Sequence, residues 1–233
     1  PANTVADGAN CLKKGSTPSL PAQSCLEVLT LFPGSPNGSY WLDFDGAGAL
    51  PAAQYVCDMQ GGGWTKLIDG TQGLDNFHRA GDANWRAEDG TIMADNGKGG
   101  FLITKRPYAN FKIHAEFWAE ATTNSGIFIR ISDPDPTKVG AKNSYEVNIF
   151  DKRPDPSYGT GGIPNVAPTM VPIKVGGQWS TYDITVKGSH MTLVLNGQTT
   201  VDTHDTTHMD AGPIALQYNK GVVKFRKLTV QTL

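Results

Sequence analysis

The sequence lacks the features that mark several common functional classes. Its 20 Lys and Arg residues are outnumbered by 22 Asp and Glu residues, so it has no basic excess of the kind that nucleic-acid-binding domains carry. No apolar run approaches the ~20 residues that a membrane-spanning helix needs. No long stretch repeats apolar residues at helical spacing, while 27 glycines and 15 prolines favour short strands joined by turns. We therefore predict an all-β protein with no nucleic-acid partner and no membrane span.

Cysteine is scarce as well, with only Cys11, Cys25 and Cys57 in 233 residues. None lies at the C-x-x-C spacing of a zinc ribbon, so a metal site of this type is excluded. All three lie in the first quarter of the chain, which suggests a disulfide that holds a small module together. The odd count leaves one thiol that pairs with another chain or stays free. Because Pro1 is not a native start, we also expect that an N-terminal segment has been removed.

Residues 1–23 are polar and rich in Pro, Gly and Ser, which predicts an extended arm or linker. Cys11 lies in this arm, where it either tethers the arm or links the chain to another subunit. The arm leads to Ser24, which is placed to cap a short helix over Cys25–Phe32. A Pro-Gly dipeptide then stops that helix.

Residues 24–67 follow a recognisable order of motifs. A cysteine opens the helix, and a G-x-Y-x-L-D-x-D-G hairpin, a Y-x-C-D-M strand and a G-G-G-W-T turn follow it. These motifs are Gly38–Gly46, Tyr55–Met59 and Gly61–Thr65. The segment resembles the N-terminal subdomain of fibrinogen-like domains. In that family the two cysteines pair, so the resemblance implies a Cys25–Cys57 disulfide, worth ~3–4 kcal/mol. The resemblance ends near Leu67 and carries no fibrinogen-type ligand site.

From residue 68 to residue 233 the sequence predicts a β-sandwich. Residues 68–99 are rich in loop-forming residues, and short strands then follow at regular intervals. Three of them alternate apolar and polar residues with period two, so we place them on one sheet with one face buried. These three are Phe111–Glu120, Ser125–Ser132 and Ser144–Asp151. The Asn196-Gly197 pair between two later strands is typical of a type I′ hairpin turn. The other predicted strands are Phe101–Lys105, Gln178–Lys187, His190–Asn196, Gln198–Asp202, Ile214–Tyr218 and Val222–Gln231.

Six motifs follow one another along this second region. They are Asn124–Arg130, Tyr145–Asp151, Thr160–Ile163, Gly177–Tyr182, Leu195–Gly197 and Gly212–Gln217. In order and approximate spacing they resemble the 3-keto-disaccharide hydrolase domain family. That family has a concanavalin-like jelly-roll fold and occurs in bacterial secreted proteins. The resemblance therefore implies a jelly-roll sandwich, a glycan-related role and a secreted or cell-surface location.

The polar face of the three alternating strands is the predicted functional surface. It combines charged groups with a large aromatic ring, as a sugar-binding cleft requires, because rings stack on pyranoses and charged groups bond the hydroxyls. For Trp118 the alternative is a ring that packs under a loop. With one residue from a later strand, the predicted ligand-binding residues are His114, Glu116, Trp118, Arg130, Asn148 and Gln217.

The segment Glu146-x-Asn148-x-x-Asp151 has the spacing of the E-x-D-x-x-E strand in family-16 glycoside hydrolases, which share the sandwich architecture. Residues i and i+2 share a strand face, and one bulge returns residue i+5 to that face. Glu146 and Asp151 are therefore the predicted catalytic pair, at the separation of about 5–5.5 Å that a retaining hydrolase needs. The alternative is that Glu146 forms a structural ion pair with Arg130 on the neighbouring strand.

Three stretches contain residue types that bind metals. Asp43 and Asp45 look like the start of a calcium loop, but further acidic ligands are missing and an Asp-Gly turn is favoured. His204 and His208 have the spacing of the zinc-protease helix, but the motif's Glu is missing and a solvated loop is favoured. The acidic stretch 132–136 is predicted to be a turn fixed by proline. We predict no metal and no cofactor, with calcium left open.

These observations predict a secreted protein of two parts. A disulfide-pinned, fibrinogen-like α+β subdomain over residues 24–67 precedes a concanavalin-like sandwich over residues 68–233. We expect the sandwich to recognise a di- or oligosaccharide, plain or modified, with glycosidase chemistry at Glu146 and Asp151. The alternative is a non-catalytic carbohydrate-binding or adhesive module of an extracellular assembly, linked through the arm and Cys11.

Overall fold

The chain divides into two compact units. The structure, a computed structural model, describes residues 3–7, 10–46, 48–133, 135 and 138–233. The first unit contains Pro1–Leu67 with Thr229–Thr232, and the second contains Ile68–Leu228 with Leu233. No helix among the described residues is long and apolar enough to cross a membrane.

The first unit consists of two small antiparallel strand groups and a short helix. Its elements are β1 (Thr4–Asp7), β2 (Asn10–Lys13), α1 (Cys25–Leu31), β3 (Gly38–Leu42), β4 (Ala53–Asp58) and β5 (Trp64–Asp69). Strands β3, β4 and β5 pair in that order. Strands β1 and β2 also pair with each other, so part of the predicted arm is a pair of antiparallel strands rather than a free extended segment.

The helix and the disulfide of this unit agree with the sequence predictions. The Oγ of Ser24 accepts a hydrogen bond of 3.0 Å from the backbone N–H of Glu27, which is the bond of an N-cap. Cys25 at the start of α1 and Cys57 on β4 form a disulfide with their Cα atoms 5.6 Å apart. The predicted pairing is therefore confirmed. Cys11 lies on β2, but its side chain is outside the described part of the structure, so its role stays a prediction.

The second unit is built almost entirely of strands. Short 3₁₀ turns occur at Leu74–Asn76 and Pro156–Tyr158. Its strands are β6 (Phe77–Gly81), β7 (Arg86–Glu88), β8 (Thr91–Ala94), β9 (Gly100–Thr104), β10 (Phe111–Ala119), β11 (Asn124–Ile129), β12 (Tyr145–Ile149), β13 (Trp179–Lys187), β14 (His190–Leu195), β15 (Gln198–His204), β16 (Ala215–Lys220) and β17 (Val223–Thr232).

These strands form two sheets that pack as a jelly-roll sandwich. One sheet has the order β12-β11-β16-β9-β6, and we call it the small sheet. The other runs β15-β14-β13-β10-β17 in this unit, with β8 beside β17 and β7 beside β8, and we call it the large sheet. Phe117 of the large sheet and Ile127 and Val147 of the small sheet have no exposed surface. Burial of these apolar side chains, about 25 cal/mol per Å² of apolar area, holds the sheets together.

The structure corrects the predicted arrangement of the three alternating strands. They do not share a sheet, because β10 pairs with β13 in the large sheet while β11 and β12 pair in the small sheet. Residues 68–99, predicted to be mostly loop, contain the short strands β6, β7 and β8. The predicted hairpin turn is confirmed, since Asn196 and Gly197 join β14 to β15 with φ angles of 50° and 78°, as a type I′ turn requires.

Candidate functional site

The register of the small sheet brings three polar residues together on its outer face. Gly126 on β11 lies directly opposite Asn148 on β12 and opposite Gln217 on β16. Glu146 lies on the same side of β12 as Asn148, because side chains two residues apart share a strand face. Their neighbour Val147 points the other way and has no exposed surface. Glu146, Asn148 and Gln217 therefore surround Gly126 on the face that points away from the core.

The glycine makes room for the Glu146 side chain. A Cβ atom built on Gly126 would lie 3.0 Å from both the Cγ and the Oε1 of Glu146. The carboxyl group thus occupies the volume that a side chain on β11 would otherwise fill. Any residue larger than glycine at this position would displace the carboxyl group.

The environment of Glu146 keeps its proton bound at higher pH than usual. Burial raises the pKa of Glu146 to about 7, and the charge of Arg153 opposes the shift only in part. A carboxyl group with a pKa near neutral pH takes up and releases protons readily at that pH, which is the property of a general base or acid. No hydrogen bond to this carboxyl group is seen in the described residues, so its oxygens are available to a ligand.

Two amide oxygens beside Glu146 are buried without a partner. They are the Oδ1 of Asn148 and the Oε1 of Gln217. The amide of Asn148 has a defined orientation, because its Nδ2 donates a 2.7 Å hydrogen bond to the carbonyl oxygen of Tyr158. Leaving a buried acceptor unpaired costs about 1–3 kcal/mol. Asn148 has no exposed surface, so a donor group, such as a sugar hydroxyl, supplies the missing bonds only where it enters this face.

Asp151 does not join Glu146 on this face. Its Oδ2 accepts hydrogen bonds of 2.9 Å from the backbone N–H groups of both Val175 and Gly176. Its Oδ1 accepts a 2.6 Å bond from the Oγ1 of Thr160. Strand β12 ends at Ile149 without a bulge that would turn Asp151 toward Glu146. The predicted pairing of Glu146 and Asp151 in one retaining site is therefore wrong, and Asp151 fastens a loop instead.

Arg130 is not the ion-pair partner of Glu146 either. Its side chain is only 2% exposed, and its Nη2 donates a 2.8 Å hydrogen bond to the carbonyl oxygen of Ala109. Its Nη1 donates to the carbonyl oxygen of His208 at 3.2 Å. Arg130 has a φ angle of 54°, which interrupts the strand alternation on which the prediction depended. The predicted Glu146–Arg130 bridge is wrong, and Arg130 binds backbone oxygens away from the small sheet's outer face.

The other predicted ligand-binding residues lie on the outer face of the large sheet. His114 on β10 lies opposite Asp183 on β13, and the two side chains are 2.7 Å apart. This hydrogen bond to Asp183 raises the pKa of His114. Glu116 accepts a 2.6 Å bond from the Nε of Arg226. The charged groups of this face are thus paired with one another.

The aromatic rings of the same face are also occupied. Trp118 lies opposite Trp179, which is 39% exposed. The Nζ of Lys224 lies 5.4 Å from the centre of the Trp118 ring. Arg226 lies 4.3 Å from the centre of the Trp179 ring. Cation–π contacts of this kind contribute about 0.5–1 kcal/mol at exposed sites, so both rings have a structural role on this face.

The histidine-rich stretch does not provide a metal cluster. Among the described residues, no group of three or more His, Cys, Asp or Glu side chains is arranged to hold a metal ion. His204 lies on β15 and stacks on His190, with ring centres 4.5 Å apart. His208 packs edge-on against Tyr145 at 4.9 Å. His204 and His208, which have the spacing of a zinc-protease helix in the sequence, therefore have different neighbours.

Sequence reasoning missed two parts of the small-sheet face. One is Gly126, which belongs to the candidate site only because the Glu146 side chain lies over it. The other is a pocket of about 200 Å³ that adjoins Gln217, lined in part by Gly99 and Gly100. The Gly-Lys-Gly-Gly run at residues 97–100 was the available signal, because consecutive glycines at the start of a strand leave its surface bare.

Sequence and structure comparisons agree with this architecture. The sequence matches the family described as "3-keto-alpha-glucoside-1,2-lyase-like domain" over residues 63–231. No curated protein sequence matches significantly. Residues 24–62 lie outside the family match, and the resemblance of residues 24–67 to fibrinogen-like domains stays a prediction.

Three solved structures illustrate the likeness of fold. A protein from Parabacteroides distasonis ATCC 8503, provisionally named a glycosyl hydrolase, has a TM-score of 0.64 at 16% identity, over 73% of this chain and 94% of that chain. A second protein of that name from the same organism has a TM-score of 0.59 at 22% identity, over 73% and 99%. A Bacillus subtilis protein of unknown function with a galectin-like fold has a TM-score of 0.56 at 10% identity, over 71% and 93%.

Proposed function

The chain belongs to the 3-keto-alpha-glucoside-1,2-lyase-like family, and from this premise we propose that its small sheet binds a keto-sugar glycoside and cleaves its glycosidic bond with Glu146 as the general base. The observation that carries the proposal is the Glu146 carboxyl group, which has a pKa of about 7 and lies beside two unpaired amide oxygens. The sugar lies against the Glu146 carboxyl group, and its hydroxyls donate to Asn148 and Gln217.

One carboxyl group is sufficient for this chemistry. In a 3-keto-glucoside the hydrogen on C2 is acidified by the neighbouring ketone. Glu146 removes that proton, the electrons of the C2–H bond form the C1=C2 double bond, and the C1–O bond breaks with its electron pair on the leaving oxygen. The protonated Glu146 then returns the proton to that oxygen. Retaining hydrolysis would require a second carboxylate, and Asp151 is bound elsewhere.

The test is cleavage of a 3-keto-glucoside, with the unoxidised glucoside as the substrate control. We expect Glu146→Gln to lower kcat/KM by at least ~100-fold, because a positioned general base contributes about 10²–10⁴-fold. In the parent protein kcat/KM should rise with pH through about 7, as Glu146 ionises. The matched control is Glu120→Gln, an exposed glutamate after β10, which should change neither quantity.

A non-catalytic sugar-binding module is the second candidate. Asp151 is engaged by Val175, Gly176 and Thr160, which removes the second carboxylate of a retaining hydrolase and leaves elimination and simple binding as the two candidates. The two candidates separate in a single experiment. If the parent protein binds the 3-keto-glucoside in calorimetry but releases no product, the lyase proposal fails and the binding module stands.

We also propose that the protein works in an oxidising compartment outside the cytoplasm. The buried Cys25–Cys57 disulfide supports this, because such bonds persist in secreted and surface proteins. Cys11 is then available to link the chain to another subunit. Non-reducing electrophoresis of protein taken from its native source tests both points. A reduced Cys25 would contradict the location, and a monomeric band would contradict the link.

A further inference from the structure

The free edge of the small sheet is bonded to a segment that returns to it after β12. Strand β12 is the last strand of that sheet, and residues 158–162, which we call the edge segment, lie beside Asn148. The backbone N–H of Asn148 donates a 3.1 Å hydrogen bond to the carbonyl oxygen of Gly162. The N–H of Gly161 donates a 3.2 Å bond to the carbonyl oxygen of Asn148. The surroundings of Asn148 therefore depend on where this segment lies.

The edge segment also determines which end of the Asn148 amide is free. The carbonyl oxygen of Tyr158 accepts the 2.7 Å hydrogen bond from Nδ2 of Asn148. A carbonyl oxygen accepts hydrogen bonds and cannot donate them, so it selects the NH₂ end of the amide. The Oδ1 is then left as the buried acceptor without a partner. Without the Tyr158 carbonyl at this place, the amide would be free to turn and present a donor instead of an acceptor.

The Asp151 carboxylate holds the edge segment in place. Its Oδ1 accepts a 2.6 Å hydrogen bond from the Oγ1 of Thr160, and the same Oγ1 accepts a 2.9 Å bond from the N–H of Phe150. Its Oδ2 accepts bonds of 2.9 Å from the N–H groups of both Val175 and Gly176. One carboxylate therefore joins the end of β12, the middle of the edge segment and the chain that leads to β13.

Tyr182 fixes the backbone of Asn148 independently of Asp151. Its side chain has no exposed surface, and its ring stacks on Phe117 with ring centres 5.2 Å apart. Its hydroxyl donates a 2.7 Å hydrogen bond to the carbonyl oxygen of Asn148 and accepts a 2.8 Å bond from the N–H of Gly161. A shift of the Tyr158 carbonyl would therefore reach the side chain of Asn148 while its backbone stays anchored in the core.

We propose that Asp151 is a positioning residue of the small-sheet site, which acts through Thr160 and the edge segment to make Asn148 present its amide oxygen to the ligand. The inference rests on the proposed function, in which Asn148 accepts a hydrogen bond from a sugar hydroxyl. Asp151 itself does not contact the ligand. It gives a role to the carboxylate that the sequence predicted to be catalytic and to the motif that begins at Thr160.

The experiment compares Thr160→Val, which removes the hydroxyl and keeps the shape, with Thr160→Ser, which keeps the hydroxyl. In the ligand-free protein, Thr160→Val should shift the side-chain amide resonances of Asn148 in ¹H–¹⁵N spectra and speed their exchange with water. It should also lower kcat/KM for the 3-keto-glucoside by about 3–10-fold, the equivalent of one hydrogen bond. Thr160→Ser should stay within twofold of the parent protein in kcat/KM. The midpoint of the pH profile, about 7, should be the same in all three proteins, because the Glu146 carboxyl group is not bonded to the edge segment.

Asp151→Asn tests the carboxylate itself. A neutral amide has one acceptor oxygen, which cannot serve both Thr160 and the N–H groups of Val175 and Gly176. We expect the same changes as in Thr160→Val. The matched control is Asp210→Asn, an exposed aspartate between β15 and β16, which should leave the Asn148 resonances and kcat/KM unchanged. If Asp151→Asn does not fold, the comparison of the two Thr160 variants decides.

The outcomes separate this inference from the function on which it rests. Unchanged kcat/KM or unchanged Asn148 resonances in Thr160→Val would overturn the positioning role and leave the function standing. An equal fall of kcat/KM in Thr160→Ser would also overturn it, because that variant keeps the bond to Asp151. If the parent protein binds the 3-keto-glucoside without cleaving it, the same fold-changes are read in Kd. Failure of the parent protein to bind at all would overturn the function and the positioning role together.

Discussion

The outer faces of the two sheets carry similar types of residue, but the polar side chains of one face have partners and those of the other do not. On the large sheet, His114 and Glu116 are held by Asp183 and Arg226. On the small sheet, the oxygens of Asn148 and Gln217 are buried without partners, and Glu146 has a raised pKa. A face whose polar groups already bond one another has no unpaired group for a ligand to satisfy. A face whose polar groups lack partners is stabilised when a ligand supplies them.

This contrast shows why residue types alone do not identify a site. Both faces place a carboxyl group near an aromatic ring, with Glu146 opposite Phe128 on the small sheet, while Trp118 and Trp179 lie on the large-sheet face. What differs is the neighbour of each group. Glu116 lies within reach of Arg226, whereas Glu146 lies over a glycine. The partners of the side chains therefore distinguish a surface whose polar groups bond one another from a surface suited to a ligand.

The largest expected loss of stability comes from substituting Arg130, which the sequence predicted to pair with Glu146. Arg130→Met removes hydrogen bonds to the carbonyl oxygens of Ala109 and His208. We expect this to lower the free energy of unfolding by about 2–3 kcal/mol, the range for hydrogen bonds of a charged group. Urea denaturation measures the loss. The pKa of Glu146 should not change. A rise of that pKa in the variant would restore the Glu146–Arg130 pair, because the loss of a nearby cation raises the pKa of a carboxyl group.

The second effect is a gain in stability from Glu146→Gln at high pH. Glu146 has a folded pKa of about 7 against an ordinary value of 4.5, so the folded state binds the proton more tightly than the unfolded state. Ionising the buried group is unfavourable in the folded state. The corresponding part of the protein's stability is therefore fully present below pH 4.5 and is lost progressively as the pH rises to about 7. We expect Glu146→Gln to stabilise the protein by about 1–3 kcal/mol at pH 8.

The check is a series of unfolding measurements from pH 4 to pH 8. The difference between Glu146→Gln and the parent protein should vanish near pH 4, and Glu120→Gln should show no such pH dependence. A Glu146→Gln variant that is less stable than the parent protein at pH 8 would show that the ionised carboxylate has a favourable partner.

Substituting the glycine under the carboxyl group should have a smaller effect. In Gly126→Ala the new Cβ would meet the Glu146 carboxyl group at about 3.0 Å, so the carboxyl group must move by a few tenths of an ångström. We expect kcat/KM to fall by about 10-fold, since displaced catalytic groups lose activity steeply. Unchanged kcat/KM in steady-state assays would mean that the position of Glu146 is not critical.

The smallest effect is expected on the large sheet. Trp118 has a structural contact with Lys224 and lies on a different sheet from Glu146. We expect Trp118→Ala to leave the Kd for the keto-glucoside within twofold and to cost under ~1 kcal/mol of stability. Calorimetric titration measures the Kd. A tenfold weaker Kd would return the large-sheet face to the binding surface that the sequence predicted.

Much of the local structure of this chain could be predicted from the sequence. Period-two alternation located β10, β11 and β12, the Asn-Gly pair located the turn after β14, and the resemblance to fibrinogen-like domains implied the Cys25–Cys57 bond. The family motifs also gave the sandwich fold. Each of these depends on a few consecutive residues or on a motif matched in order, and such information is present in one sequence.

The sheet partners could not be obtained in this way. Alternation shows which residues share a face of a strand, but not which strand lies beside it, and β10 and β11 enter different sheets although they follow each other in the chain. The positive φ of Arg130 and the loop contacts of Asp151 likewise depend on residues far away in sequence. For this reason Glu146 was identified but its neighbours were not.

The most direct test of the difference between the two faces is an NMR titration of the protein with a 3-keto-glucoside. We predict that backbone amide shifts change along β11, β12 and β16, around Gly126, Asn148 and Gln217, and stay constant along β10, β13 and β17. Changes centred on Trp118 and Trp179, with none around Gly126, would contradict it.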